Sequence, residues 1–154
     1  MTLATRHESA DDSPGLLLWQ VTNRWQAAQR AALKPFDITH VQFVLLATLT
    51  YLQASGAVTQ KALADMAATD PMMTSQVLRT LESRGLVHRP THPTDRRARA
   101  VAVTEAGRDL INRAVVAVEA CDASFFAGVG ADLPAFVEAL RTLGQPRRRD
   151  TGPH

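Results

Sequence analysis

The sequence predicts a mainly α chain with a small β-hairpin wing. Three observations carry this expectation. Apolar residues recur at three- and four-residue steps in six segments, capping residues and Gly or Pro punctuate those segments, and one valine-enriched stretch near residues 86–103 alternates instead.

The elements follow in order. Leu17, Leu18, Val21, Trp25 and Ala28 set a first helix from about Leu16 to Ala32, which Pro35 stops. Thr39 followed by Gln42 forms a capping box that opens a second helix through Val41, Phe43, Val44, Leu45, Leu46, Leu49 and Leu52, apolar enough to belong in the interior. After Gly56, Thr59 caps a short third helix turning Ala62, Leu63, Met66 and Ala67 inward. Asp70 as N-cap, Pro71 at the first helical position and Gly85 at a left-handed C-terminal turn bound a fourth helix. Its face of Met73, Val77, Leu78 and Leu81 points inward, leaving Met72, Thr74, Ser75, Gln76 and Arg79 on or beside the outer face.

Leu86 to Pro90 and Ala98 to Val103 form the two strands of the hairpin, joined by the charged turn His92-Pro93-Thr94-Asp95-Arg96-Arg97. Thr104 and Glu105 start a long fifth helix reaching about Phe126, broken after that by Gly128 and Gly130. Asp132 caps a last helix with Leu133, Phe136, Val137, Leu140 and Leu143 on one stripe, closed by Gly144.

Composition narrows the function classes. A chain of 154 residues, 45% hydrophobic, suits one domain with an appendage rather than two independent domains. One cysteine, Cys121, leaves no internal disulfide and no cysteine-based zinc site, and fits the cytoplasm. The N-terminus lacks the apolar core of a signal peptide, and no run of about 18 consecutive apolar residues offers a membrane span. No nucleophile elbow, phosphate-cradling glycine loop or paired carboxylates stand out, so an enzyme is not expected and no cofactor is implied.

Net charge is only +2, yet between Arg79 and Arg99 six arginines face two acids, Glu82 and Asp95, whereas residues 1–60 carry four of each sign. A short helix, a tight connection, a second helix with a polar outer face and an arginine-tipped hairpin make a winged helix-turn-helix. Such a helix fits the roughly 12 Å major groove, where Gln pairs with adenine and Arg with guanine, and a slim arginine hairpin suits the minor groove. The candidate DNA contacts are Thr59, Gln60, Met72, Thr74, Ser75, Gln76, Arg79, Arg96, Arg97 and Arg99.

Three motifs in order then resemble the MarR family of bacterial transcription regulators: Gly85-Leu86-Val87 through Arg89, Pro93-Thr94-Asp95-Arg96-Arg97, and Val103-Thr104-Glu105-Ala106-Gly107. Thr39 to Phe43, Thr59 to Ala64 and Thr74 to Glu82 match as well, so the resemblance covers about Leu16 to Leu143. It implies a cytoplasmic homodimer whose terminal helices interlock and whose two winged helices meet a pseudo-palindromic operator, as a repressor rather than an activator. It also implies an ion pair between Asp95 and a nearby arginine, Arg97 the first choice, with Arg96 or Arg97 reaching the groove, and control by a small aromatic or phenolic ligand. Trp19, Arg24, Trp25, His40 and Phe43 are candidate lining residues for that ligand.

The expected organisation is therefore a disordered arm over 1–15, a helical dimerisation region over 16–36 and 105–144, a DNA-binding domain over 37–104, and a flexible basic tail over 145–154. Independently of any family, the apolar first and last helices would leave a monomer with too much exposed apolar surface. Two rival functions stay open: a winged-helix protein-interaction module without sequence-specific DNA binding, and a redox sensor acting through Cys121. Against the second, a small buried apolar role is the commoner one for a cysteine late in a helix, and no resolving cysteine exists in the chain. His88 and His92 lack a third ligand at metal spacing, so no metal is expected.

Overall fold

The computed structural model describes residues 3–146. It contains helices α1 (Pro14–Leu33), α2 (His40–Gln53), α3 (Gln60–Ala67), α4 (Pro71–Ser83), α5 (Glu105–Phe126) and α6 (Leu133–Gly144), and strands β1 (Val58–Thr59), β2 (Val87–His88) and β3 (Ala100–Val103). The described residues fall into two compact units divided between Cys121 and Asp122.

In the first unit, Leu33, Phe43, Leu45, Leu46, Leu49, Leu63, Leu78, Leu81, Val101 and Ile111 are buried in one core. Burial of each such leucine stabilises by about 1.5–3 kcal/mol. The capping box at Thr39 forms as expected, with the Gln42 N–H donating to Thr39 Oγ1 at 3.2 Å and the Thr39 N–H donating to Gln42 Oε1 at 3.1 Å. Helix α1 starts at Pro14 with Ser13 as its cap, and a 3-10 turn precedes it at Ala10–Asp12, so order begins inside the expected arm. From residue 147 on, the expected basic tail lies outside the described residues.

The hairpin is part of a three-stranded antiparallel sheet in the order β1-β3-β2. Val58 pairs with Val101 and Thr59 with Ala100 on one side of β3, while Val87 pairs with Val103 and His88 with Ala102 on the other. Two residues are too few to show alternation, which is why β1 escapes a reading by pattern. Beyond the strands a single bridge, Thr91 with Arg99, carries the ribbon toward its tip.

Gly107 explains the glycine of the third motif. A Cβ there would lie 2.1 Å from the Leu86 carbonyl oxygen, so only glycine lets the first turn of α5 meet the chain leaving α4. Thr104 completes the junction: its hydroxyl donates to the Gly85 carbonyl at 2.6 Å and accepts from the Gly107 N–H at 3.1 Å. Leu110, Ile111, Ala114 and Val118 continue from this junction into the core, so the first half of the expected dimerisation helix is a core element of the first unit.

In the second unit, the chain breaks at Gly130, whose φ of 62° is left-handed. Asp132 precedes α6 but makes no side-chain cap, contrary to expectation, because it already has helical backbone angles. The Phe126 and Phe136 rings meet at a tilt of 41° with centroids 5.9 Å apart, and Leu133, Val137, Leu140 and Leu143 are exposed. An 18-residue window within Glu105–Gly144 reaches a mean hydropathy of 1.5, long and apolar enough by composition to cross a membrane, although no long run of consecutive apolar residues occurs in the stretch. Glu119 and Asp122 lie in this stretch, and the Gly130 break interrupts its helix.

Candidate nucleic-acid interface

Helix α4 is set by local chemistry. The Met73 N–H donates to the Asp70 carboxylate at 2.8 Å, Pro71 occupies the first turn, and Gly85 ends the segment at φ 72°. Leu78 and Leu81 anchor the inner face at 0% exposure, while Gln76 and Arg79 are exposed on the outer face, as their spacing requires.

Two residues expected on that outer face are buried. Thr74 is 0% exposed: its hydroxyl donates to the Asp70 carbonyl at 2.8 Å and lies 2.8 Å from the Thr69 hydroxyl, which must then be the donor between them. Thr74 thus staples the turn between α3 and α4 rather than facing outward. Ser75 is 8% exposed, and its oxygen accepts from the Arg79 guanidinium at 3.4 Å, so it steadies the arginine instead. Met72 is 73% exposed, and Met73, expected inside, is 38% exposed because it occupies the first turn, at the edge of the packed face. Met66 on α3 is likewise 58% exposed, and Ala62 is exposed, leaving Leu63 and Ala64 as that helix's inward pair.

The wing tip has an internal frame that its charges alone do not reveal. His92 Nδ1 accepts the Asp95 N–H at 3.0 Å and the Thr94 N–H at 3.3 Å, which places the ring proton of the neutral imidazole on Nε2. Asp95 then accepts the Arg97 N–H at 2.9 Å, while the Ala98 N–H donates to the Asp95 carbonyl at 3.2 Å. Asp95 therefore shapes the wing through the backbone of Arg97, and the expected side-chain ion pair between them does not form. Arg96, Arg97 and Arg99 are all exposed.

Thr59 and Gln60 join the wing to α3. Thr59 Oγ1 accepts the Ala62 N–H at 3.1 Å as the helix cap, and the Gln60 N–H donates to the Arg99 carbonyl at 2.7 Å. These two residues line one cleft of about 530 Å³ together with Lys61, Asp95, Arg97 and Arg99. Lys61 was not among the residues expected from the sequence; its place directly after Gln60, in the first turn of α3, was the available signal. The Asp65 carboxylate, hydrogen-bonded at 2.8 Å, holds the Lys61 ammonium above the usual lysine range.

Of the five candidate ligand-lining residues, the structure joins Trp25 and His40, whose rings meet edge-on at 5.0 Å. Phe43 is buried in the core, Arg24 is exposed and Trp19 is 69% exposed. Cys121 is half-buried rather than buried.

Comparison with known proteins gives this geometry a family. Residues 38–98 match the model of the MarR family. The chain is 44% identical over 124 residues to an uncharacterized HTH-type transcriptional regulator, YdcH, from Bacillus subtilis (strain 168), spanning 80% of this chain and 84% of that one. Among solved structures, CouR from Rhodococcus jostii RHA1 bound to p-coumaroyl-CoA superposes with a TM-score of 0.82 at 27% identity, covering 94% of this chain and 100% of CouR. BpsR of Bordetella bronchiseptica, whose DNA binding is regulated by 6-hydroxynicotinic acid, superposes with a TM-score of 0.82 at 26% identity, covering 93% and 100%. Motifs, winged-helix architecture and relatives agree: the chain belongs to the MarR family of transcriptional regulators.

Proposed function

We propose that the protein is a cytoplasmic homodimeric repressor that binds a pseudo-palindromic DNA operator and releases it when a small aromatic effector binds. The observation that carries this reading is the pairing, in one unit, of an outward Gln76 and Arg79 on α4 with the exposed Arg96, Arg97 and Arg99 of the wing. Gln76 and Arg79 contact base edges in the major groove, with Met72 beside them against thymine methyls. Thr59, Gln60, Arg97 and Arg99 share one cleft and take the phosphate backbone, which leaves Arg96 at the exposed tip to enter the minor groove. Thr74 is not part of this surface, and Ser75 acts through Arg79.

Exposed Leu16, Leu17, Leu18, Trp19 and Val21 on α1, and exposed Leu133, Val137, Leu140 and Leu143 on α6, support burial against a second copy. The effector reading draws on the p-coumaroyl-CoA bound to CouR and the 6-hydroxynicotinic acid that regulates BpsR. The Trp25–His40 pair is the place where an aromatic ring of that kind would stack.

Selection of bound duplexes from a random library tests this function. The expected result is one enriched site with two-fold symmetry and half-sites about 10 base pairs apart, released by an aromatic acid in a subsequent screen. If no duplex is enriched, the fold serves as a protein-interaction module instead.

A further inference from the structure

A second concavity lies at the turn between α1 and α2, apart from the surface assigned to DNA. It has a volume of about 470 Å³, and its walls include Arg30, Lys34, Asp37, Ile38 and Arg84. Arg30 and Lys34 stand one helical turn apart, are exposed, and form no ion pair among the described residues. Arg84 is the C-cap of α4, and its side chain is only 32% exposed. One guanidinium nitrogen donates to Gln42 Oε1 at 3.4 Å, while another lies 3.8 Å from the Asp37 carboxylate, beyond a hydrogen bond. Asp37 itself is fully exposed, on a left-handed residue at φ 52°. Three cations thus face one loosely held carboxylate, and buried Ile38 supplies an apolar wall.

We propose that this cleft is a binding site for a small phosphate-bearing molecule. The excess of two positive charges matches a phosphate monoester dianion. Arg84 is already oriented by Gln42, so its planar fork would exchange the distant Asp37 for two phosphate oxygens at little ordering cost. The volume exceeds that of bare phosphate, leaving room for the organic body of an ester against Ile38. Because Arg84 closes α4, occupancy would tie the end of that helix to the α1–α2 turn. An effect of the ligand on DNA rests on the proposed function; the binding itself does not.

The test uses the full chain without DNA, titrated with inorganic phosphate and with phenyl phosphate at constant ionic strength and followed by NMR. Saturable binding is expected, tighter for phenyl phosphate than for phosphate. Lys34→Gln should weaken it about fivefold and Arg84→Gln about tenfold or more, while Asp37→Asn should tighten it severalfold by removing the competing carboxylate. Asparagine tolerates the left-handed backbone, and the gain distinguishes binding from damage to the fold. Shifts that do not saturate, or equal affinities in all variants, overturn the proposal. In a parallel arm, Arg30→Gln with Lys34→Gln is measured on duplex DNA. A fall in DNA affinity and salt slope without free phosphate binding would assign the cleft to the DNA backbone and likewise overturn the small-molecule site.

Discussion

Thr74 and Gln76 sit two residues apart on α4 and carry different duties. Thr74 holds Asp70 and Thr69 from a fully buried position, whereas Gln76 faces solvent. Replacing Thr74 by Val keeps its shape but removes both hydrogen bonds, and should cost about 1–2 kcal/mol of stability in urea unfolding. Operator affinity of the folded variant at fixed salt should not change; a loss of affinity would return Thr74 to the interface. Gly107→Ala should cost about 1–3 kcal/mol, since its Cβ collides with the backbone of Leu86 and the start of α5 must shift. Gly128→Ala is the control, with nothing within 4 Å, and should stay within about 0.5 kcal/mol of the parent.

At the scale of elements, the wing and α4 differ in how they hold their charges. Arg79 leans on Ser75 within one helix, but the wing arginines depend on a turn organised by His92 and Asp95. Substituting Arg97 and Arg99 by Ala together should reduce the steepness of log affinity against log salt by about 3.6 for the bound dimer, because two fewer phosphates are neutralised by each protomer. Asp95→Ala removes no cation, yet it should weaken DNA binding by releasing the Arg97 N–H and loosening the tip; undiminished affinity would mean that the turn holds without it. What the sequence disclosed follows the same division. The caps at Thr39 and Asp70 and the stop at Gly85 were legible because each lies within three or four residues of what it satisfies. The strand β1 was not, because a two-residue strand paired to residues 100 and 101 leaves no local pattern. The burial of Thr74 and the backbone role of Asp95 were not either: both contacts are local, but a hydroxyl or carboxylate with several partners in reach does not announce which it takes. Helical periodicity assigns a face, but it does not reveal a hydroxyl drawn inward by the preceding turn. Motif spacing located the wing arginines without showing that Arg97 and Arg99 share a cleft with Gln60.

For the whole molecule, the apolar residues left open on α1 and α6 set the expected assembly. Leu17→Glu or Leu140→Glu should convert the proposed dimer to monomer in sedimentation, and a chain that stays dimeric in both would place the contact elsewhere. A dimer presents two copies of α4, so operator affinity should fall sharply in the monomeric variants. The most direct test is to measure Gln76→Ala and Arg79→Ala on the selected operator and on every single-base variant of one half-site. The account predicts a loss of about 1–3 kcal/mol per half-site of the selected operator, with discrimination among the four bases abolished at one position of the half-site for each residue. An equal loss on all duplexes, random ones included, would contradict it by reducing both side chains to backbone contacts.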